Sequence, residues 1–528
     1  MTVGLLSFAG SSNAGWTNFV QTTGAIIYVS DSDGNDSNNG LSSIANPSNI
    51  GGVGAAGPKK TIAAGIALLT NGQPDWLLLK EGDTFTDQDF TTFGGHGLSG
   101  TGYGPTFSGE PMIISSYHPS RPGVIHPTVS ARPLILDNHV ASVTGANINL
   151  ISGSAGFYVA VVGLVFYAYK RDPLNGGYAG QNTSSHWGGI VGTTSTPWFL
   201  IEDCCFNYFA GNSYSSSASG QGEVYLYRSA FLNSYAQDTA HSQGWFCDRT
   251  TTFVVDTCVF DSNGGNQTIP RGVGDFLSHN LYVGYDETTD SSLMGVPVLK
   301  NSITNNPNFY GYKCMPGGTI TNNYFGNFCA AGYVSDTALT VQKNVSDVSH
   351  NVFTKGRDDR DGGASGSDAQ GFQFNTQAIN STATANIVLH SSQAWNGVNW
   401  SFLAGASNLS MTGNYFADFP LGVGTLVSTD PGTGEPAAAA VYAFSSRPGL
   451  DLTGSTAHAA APANTTIEDY DASLGGPGTE AHFIGNGSNG VGQLSGASGN
   501  CKFNWNPAYT APAINNWFRG KVGLASYP

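Results

Sequence analysis

Along most of this chain an apolar residue is followed three positions later by a small, usually polar one, and two positions after that by Phe. The copies read Val161/Leu164/Phe166, Ile201/Cys204/Phe206, Leu226/Ser229/Phe231, Val255/Cys258/Phe260, Leu299/Ser302/Thr304, Ile320/Asn323/Phe325, Val348/Asn351/Phe353 and Met411/Asn414/Phe416. A strand alternates faces with period two, so two inward residues at an odd spacing need a bend between them. The Asn, Ser or Cys of each copy is expected at that bend. Asn tolerates the left-handed conformation of a tight turn, and stacked Asn side chains can form a hydrogen-bonded ladder.

The copies starting at Ile201, Leu226 and Val255, and those at Leu299, Ile320 and Val348, follow one another at intervals of 21 to 29 residues. Such periods signal a solenoid, in which each coil buries its apolar face only against its neighbours. The fold class is therefore all-β, a parallel β-helix, with Ile387–Trp395 as a degenerate rung. A second strand column lies between copies: Trp187–Ile190, Gln243–Cys247, His279–Val283, Tyr310–Cys314 and Gln370–Phe374. With Leu281/Val283 and Tyr312/Cys314 inward, Tyr282 and Lys313 fall outward at equivalent positions of adjacent coils. By the same parity Trp245 points inward.

Before the repeats, Ile26–Ser43 reads as a strand and a polar turn, Lys59–Leu69 as one amphipathic helix, and Asp75–Phe85 as a second strand. This order, with Glu110–Tyr117, Arg121-Pro122 and the rungs, resembles the N-terminal cap and coils of right-handed parallel β-helix proteins of the pectate-lyase-like superfamily. The resemblance spans roughly residues 26–420 and implies a helix plugging the open end. It is specific for fold and not for reaction, since the same coil carries lyases, hydrolases, epimerases and virus tailspikes. It divides the chain into a lead or anchor (1–25), the β-helix (26–420, with cap and first coil at 26–90) and an irregular, capping region (421–528) that ends in a short helix.

Only 11% of the 528 residues are charged, and 20 basic against 36 acidic residues give −16, which argues against nucleic acid and anionic membrane surfaces as partners. No stretch is long and apolar enough for membrane insertion. Met1–Ala9 lacks the basic and apolar regions of an export signal, which leaves secretion and release within a virus particle both open. Seven scattered cysteines do not form a disulfide framework; Cys204, Cys258, Cys247 and Cys314 read as small core residues. Asp31, Asp33, Asn35, Asp36 and Asn38 alternate oxygens as a calcium loop does but lack its closing Glu; an Asx-rich turn is the competing reading, and no other cofactor or metal is indicated.

Nine of the 20 basic residues lie between Arg228 and Arg360, marking the middle coils in a chain poor in charge. Asp238 and His241 precede one second-column strand, and Asp275 and His279 the next, with Lys313 one coil further. Together they could supply a base, an orienting acid and a cation to one sugar ring, making these five the candidate catalytic residues. Arg271, Tyr282, Tyr310, Arg249 and Trp187 are candidate substrate contacts, rings for stacking and cations for acidic groups. Two mechanisms stay open. Elimination from a uronate would use Lys313 with Arg271, assisted by His279 or Tyr282; hydrolysis would use Asp238 with Asp275, or Glu202 with Asp248. The resemblance adds the expectation of a polysaccharide substrate, of a phage tailspike-type depolymerase, and of a homotrimer joined to phage tail or baseplate proteins. A non-catalytic glycan-binding adhesin or virion protein and a secreted bacterial lyase are the alternatives.

Overall fold

In the computed structural model the described residues are 17–44, 55–90, 110–125, 132–136, 151–153, 158–178, 190–192, 198–216, 223–235, 242–265, 278–284, 295–334, 345–356, 370–374, 379–390, 400–402, 408–418, 427–428, 450–483 and 507–528, apart from a few single positions within them. Their strands form three parallel sheets of thirteen, twelve and ten members. Ten successive coils, from Met112 to Ser428, contribute one strand to each sheet in turn. Thr319–Thr321 lies in the first, Tyr324–Gly326 in the second and Ala330–Val334 in the third, and Asp347–Ser349 returns to the first. This is a parallel β-helix, with the right-handed connection that parallel strands take. Its register runs one coil beyond the fading of the rung pattern, to Leu450–Asp451 and Thr456–His458.

The repeated polar residue forms the expected ladder. Main-chain nitrogens of Cys204, Cys258, Ser302, Asn323, Asn351, Asn386 and Asn414 donate to the side chains of Ser229, Ser302, Asn323, Asn351, Asn386, Asn414 and Ser455, at 2.9–3.1 Å. Two details differ from the sequence reading. The left-handed residue is the one before the ladder position: Asp203, Arg228, Thr257, Asn301, Asn322, His350 and Ala385 have φ between 44° and 59°. The coil taken as degenerate is regular, with Asn386 as its rung and Ile387–Leu389 as its second-sheet strand.

Inside, the Phe column stacks as the pattern requires. Phe166, Phe206, Phe231 and Phe260 follow one another at 4.7, 5.4 and 4.9 Å between ring centres, and Phe325 meets Phe353 at 4.8 Å. Trp245 is fully buried against Phe231. Cys204, Cys247, Cys258 and Cys314 are free and buried, and burial pushes the Cys314 thiol up to about 12. Cys205, however, is in a disulfide whose partner lies outside the described residues. The helix Ile62–Ile66 closes the first coil, burying Ile62 and Ile66 with Ile27, Val29, Leu77 and Leu79.

Both terminal segments pack on outer faces. Thr17 donates to Glu202 on the first sheet at 3.2 Å, and Phe19 joins the apolar cluster of Trp76, Trp198 and Leu200 there. The C-terminal helix Ala511–Lys521 forms as the sequence predicts, but lies along the flank of the middle coils. Asn515 donates to the Asn323 carbonyl at 3.2 Å and Arg519 to the Ala385 carbonyl at 3.0 Å, while Phe518 stacks on Tyr324 of the second sheet. Lys355 binds Glu468 and Glu480 of the returning segment. These packing contacts of the described termini thus fall on the first and second sheets.

Candidate functional site

From Val162–Val165 to Thr384–Ile387 the first and second sheets are joined by two-residue bends, whereas in these middle coils the links on either side of the third sheet are longer, as from Asp261 to His279 and from Val283 to Val298. A rigid sheet flanked by such loops is where a solenoid carries function. On the third sheet, Phe246 pairs in register with Tyr282, and Tyr282 with Lys313, as the parity reading expected. Leu281, Val283, Tyr312 and Cys314 alternate with them and are fully buried.

Tyr282 and Lys313 are half-buried on the outer face. The Lys313 ammonium sits 4.8 Å from the centre of the Tyr282 ring, a cation–π geometry. Phe246 meets the same ring edge-on at 4.9 Å, and the phenol donates to the Met315 sulfur at 2.9 Å. A thioether is a weak acceptor, so this is a weak hydrogen bond.

His279 and Tyr310 occupy different places from those expected of groups on the outer strip. Both start their strands on the inward parity, with Leu281 and Tyr312 respectively; His279 is fully buried and Tyr310 is 8% exposed. The His279 ring lies 5.4 Å from Tyr282 and 5.2 Å from Tyr310, and its Nδ1 accepts the Tyr310 main-chain N–H at 3.4 Å. It therefore supports Tyr282 from behind. Asp238, His241, Asp275, Arg271, Arg249 and Trp187 lie outside the described residues. The alternative pair Glu202 and Asp248 is not brought together. Glu202 ends a first-sheet strand, fully buried against Arg228, while Asp248 ends a third-sheet strand.

A buried polar corner missed by the sequence reading fixes the start of this sheet. Asn263 donates to the Phe231 carbonyl at 2.8 Å and to Asn280 at 3.0 Å, and Asn280 donates to the Asn305 carbonyl at 2.9 Å. The signal was present as two further Asn residues outside the main ladder. Gly244 is required beside them, because a Cβ there would lie 2.5 Å from the Asn280 carbonyl oxygen.

In the calcium candidate, Asp36 binds the Lys60 and Thr61 main chain at 2.8 Å, Asn35 closes a turn onto Ser37, and Asp33 pairs with Lys80. Among the described residues no group of three or more His, Cys, Asp or Glu could hold a metal, and no helix is long and apolar enough to cross a membrane.

No protein-family model matches this chain, and no curated protein matches it in sequence. Solved structures overlap it loosely. The periplasmic alginate epimerase AlgG is 10% identical, with 73% of this chain and 77% of that one covered and a TM-score of 0.34. The GH136 lacto-N-biosidase from Eubacterium ramulus, in its native form, is 13% identical over 82% and 68% of the two chains, at 0.35. Pectate lyase Pel9A is 13% identical over 92% and 90%, at 0.34. Likeness at this level leaves the chemistry to the chain's own residues.

Proposed function

We propose that this chain is a polysaccharide-degrading β-helix protein that holds its glycan along the outer face of the third sheet. The observation that carries this is the Phe246–Tyr282–Lys313 row, in which two rings and a cation sit on successive coils. Strands about 4.8 Å apart present one side chain per coil along the axis, so a chain of sugars can meet the row unit by unit. Rings stack on the apolar faces of sugars, and Lys313 supplies charge where an acidic group lies.

The described groups favour elimination over hydrolysis. Lys313 neutralises a uronate carboxylate, which makes the C5 proton easier to remove. A base takes that proton, the C4–O bond breaks as the C4=C5 double bond forms, and the leaving oxygen takes a proton. In this reading the Tyr282 phenol, which donates to Met315 and touches the His279 ring, exchanges those protons. The tailspike setting, with a homotrimer and phage tail or baseplate partners outside the cell, belongs to the same proposal; a stable monomer at micromolar concentration in sedimentation counts against it.

The test is to incubate the protein with bacterial surface polysaccharides and read new reducing ends together with the ultraviolet absorbance of an unsaturated product. Both signals rising supports the reading. Reducing ends alone would shift the mechanism to a carboxylate pair, and neither signal with binding retained would make the protein an adhesin.

A further inference from the structure

We infer that the glycan is a heteropolysaccharide carrying an isolated acidic sugar between neutral ones, with Lys313 as the residue that selects it; the inference rests on the proposed use of the third sheet. The middle row of that sheet reads Tyr214, Phe246, Tyr282, Lys313, Tyr333 and Gln373 in successive register positions. One position is cationic, and the positions flanking it are aromatic or neutral. A homopolyuronate presents a carboxylate on every sugar and needs cations repeated along the row. This row has neutral residues at the other five positions, on a chain whose net charge of −16 repels a uniformly anionic polymer. A polymer with one acid per repeat meets the row in a single register, with its acid at Lys313 and the apolar faces of its neighbours on Tyr282 and Phe246. The Lys313 ammonium, 4.8 Å above the Tyr282 ring, is fixed over one subsite.

The experiment is affinity electrophoresis of the whole chain through gels containing gellan, which has one uronate per repeat, carboxyl-reduced gellan, polygalacturonate or dextran, at several salt concentrations. Gellan is expected to retard the protein at least tenfold more strongly than polygalacturonate or the carboxyl-reduced polymer, with the shallow salt dependence of a single ionic contact. Lys313→Met is expected to remove that preference, so that gellan and carboxyl-reduced gellan retard the variant equally, and Lys313→Arg to keep most of it. Thermal unfolding of both variants at the parent temperature establishes that they fold. Equal or stronger retardation by polygalacturonate, or a gellan preference that survives Lys313→Met, overturns the inference while leaving a glycan site in place. No retardation by any of these or by the bacterial polysaccharide panel overturns the proposed function itself.

Discussion

Truncating one rung of the ladder, Asn351→Ala, is expected to destabilise the middle coils by about 4 kcal/mol. Asn351 is fully buried. Its side-chain oxygen accepts from the Asn323 main chain at 2.9 Å and side chain at 3.0 Å, and its amide donates to the Ile320 carbonyl at 2.9 Å and to Asn386 at 3.0 Å. Each such bond contributes about 1 kcal/mol net, and a buried donor left without an acceptor costs about 1–3 kcal/mol. The Asn323 main-chain N–H becomes such a donor, whereas the Asn323 side chain keeps the Leu299 carbonyl at 2.9 Å. Because coils touch only their neighbours, the loss should be local. Hydrogen exchange read by mass spectrometry should show faster exchange from about Leu299 to Leu389, with Val161–Phe206 unchanged. A loss under 1 kcal/mol, or exchange that quickens uniformly along the chain, would refute the idea that this ladder holds the bends.

Phe231→Ala, which opens a gap between Phe206 and Phe260 and beside Trp245, should cost about 3–5 kcal/mol in chemical unfolding. Gly244→Ala should displace Asn280 and, with it, the start of the strand bearing His279 and Tyr282; glycan retention should fall more than the unfolding temperature does. His350 stacks on Tyr527 at 3.9 Å, and burial, then the Arg519 charge, lowers its pKa, with Asp347 opposing. The folded protein therefore resists protonating it, so its contribution is intact above the unfolded value of about 6.5 and is lost as pH falls through that value toward the lower folded one. Thermal unfolding between neutral and mildly acid pH should show His350→Asn losing less stability than the parent; parallel curves would show that this ring does not titrate with folding.

The coil was legible because its determinants are local and repeated: the Phe column, the polar rung and the parity of strands such as Leu281–Val283 all follow from spacing within one coil. The same parity, carried two residues back, places His279 and Tyr310 inside, so their burial was readable from the alternation that exposed Tyr282. The left-handed residue before each rung was harder to see, because Arg228, Thr257 and Ala385 have no side-chain signature for that conformation. Glu202 and Asp248 were separable by the same pattern, since Glu202 follows Ile201 of a rung copy whereas Asp248 follows the second-column strand Gln243–Cys247. The return of Ala511–Lys521 along the flank depends on contacts such as Asn515 to Asn323, which join positions 192 apart in sequence and leave no local pattern.

The central claim is that the third sheet, and not the other two faces, carries the glycan. Its most direct test compares Tyr282→Ala on the third sheet with Tyr225→Ala on the first, in affinity electrophoresis against whichever polysaccharide the protein cleaves. Tyr282→Ala should abolish retention while Tyr225→Ala leaves it intact; retention that survives the first substitution and disappears with the second would contradict the account.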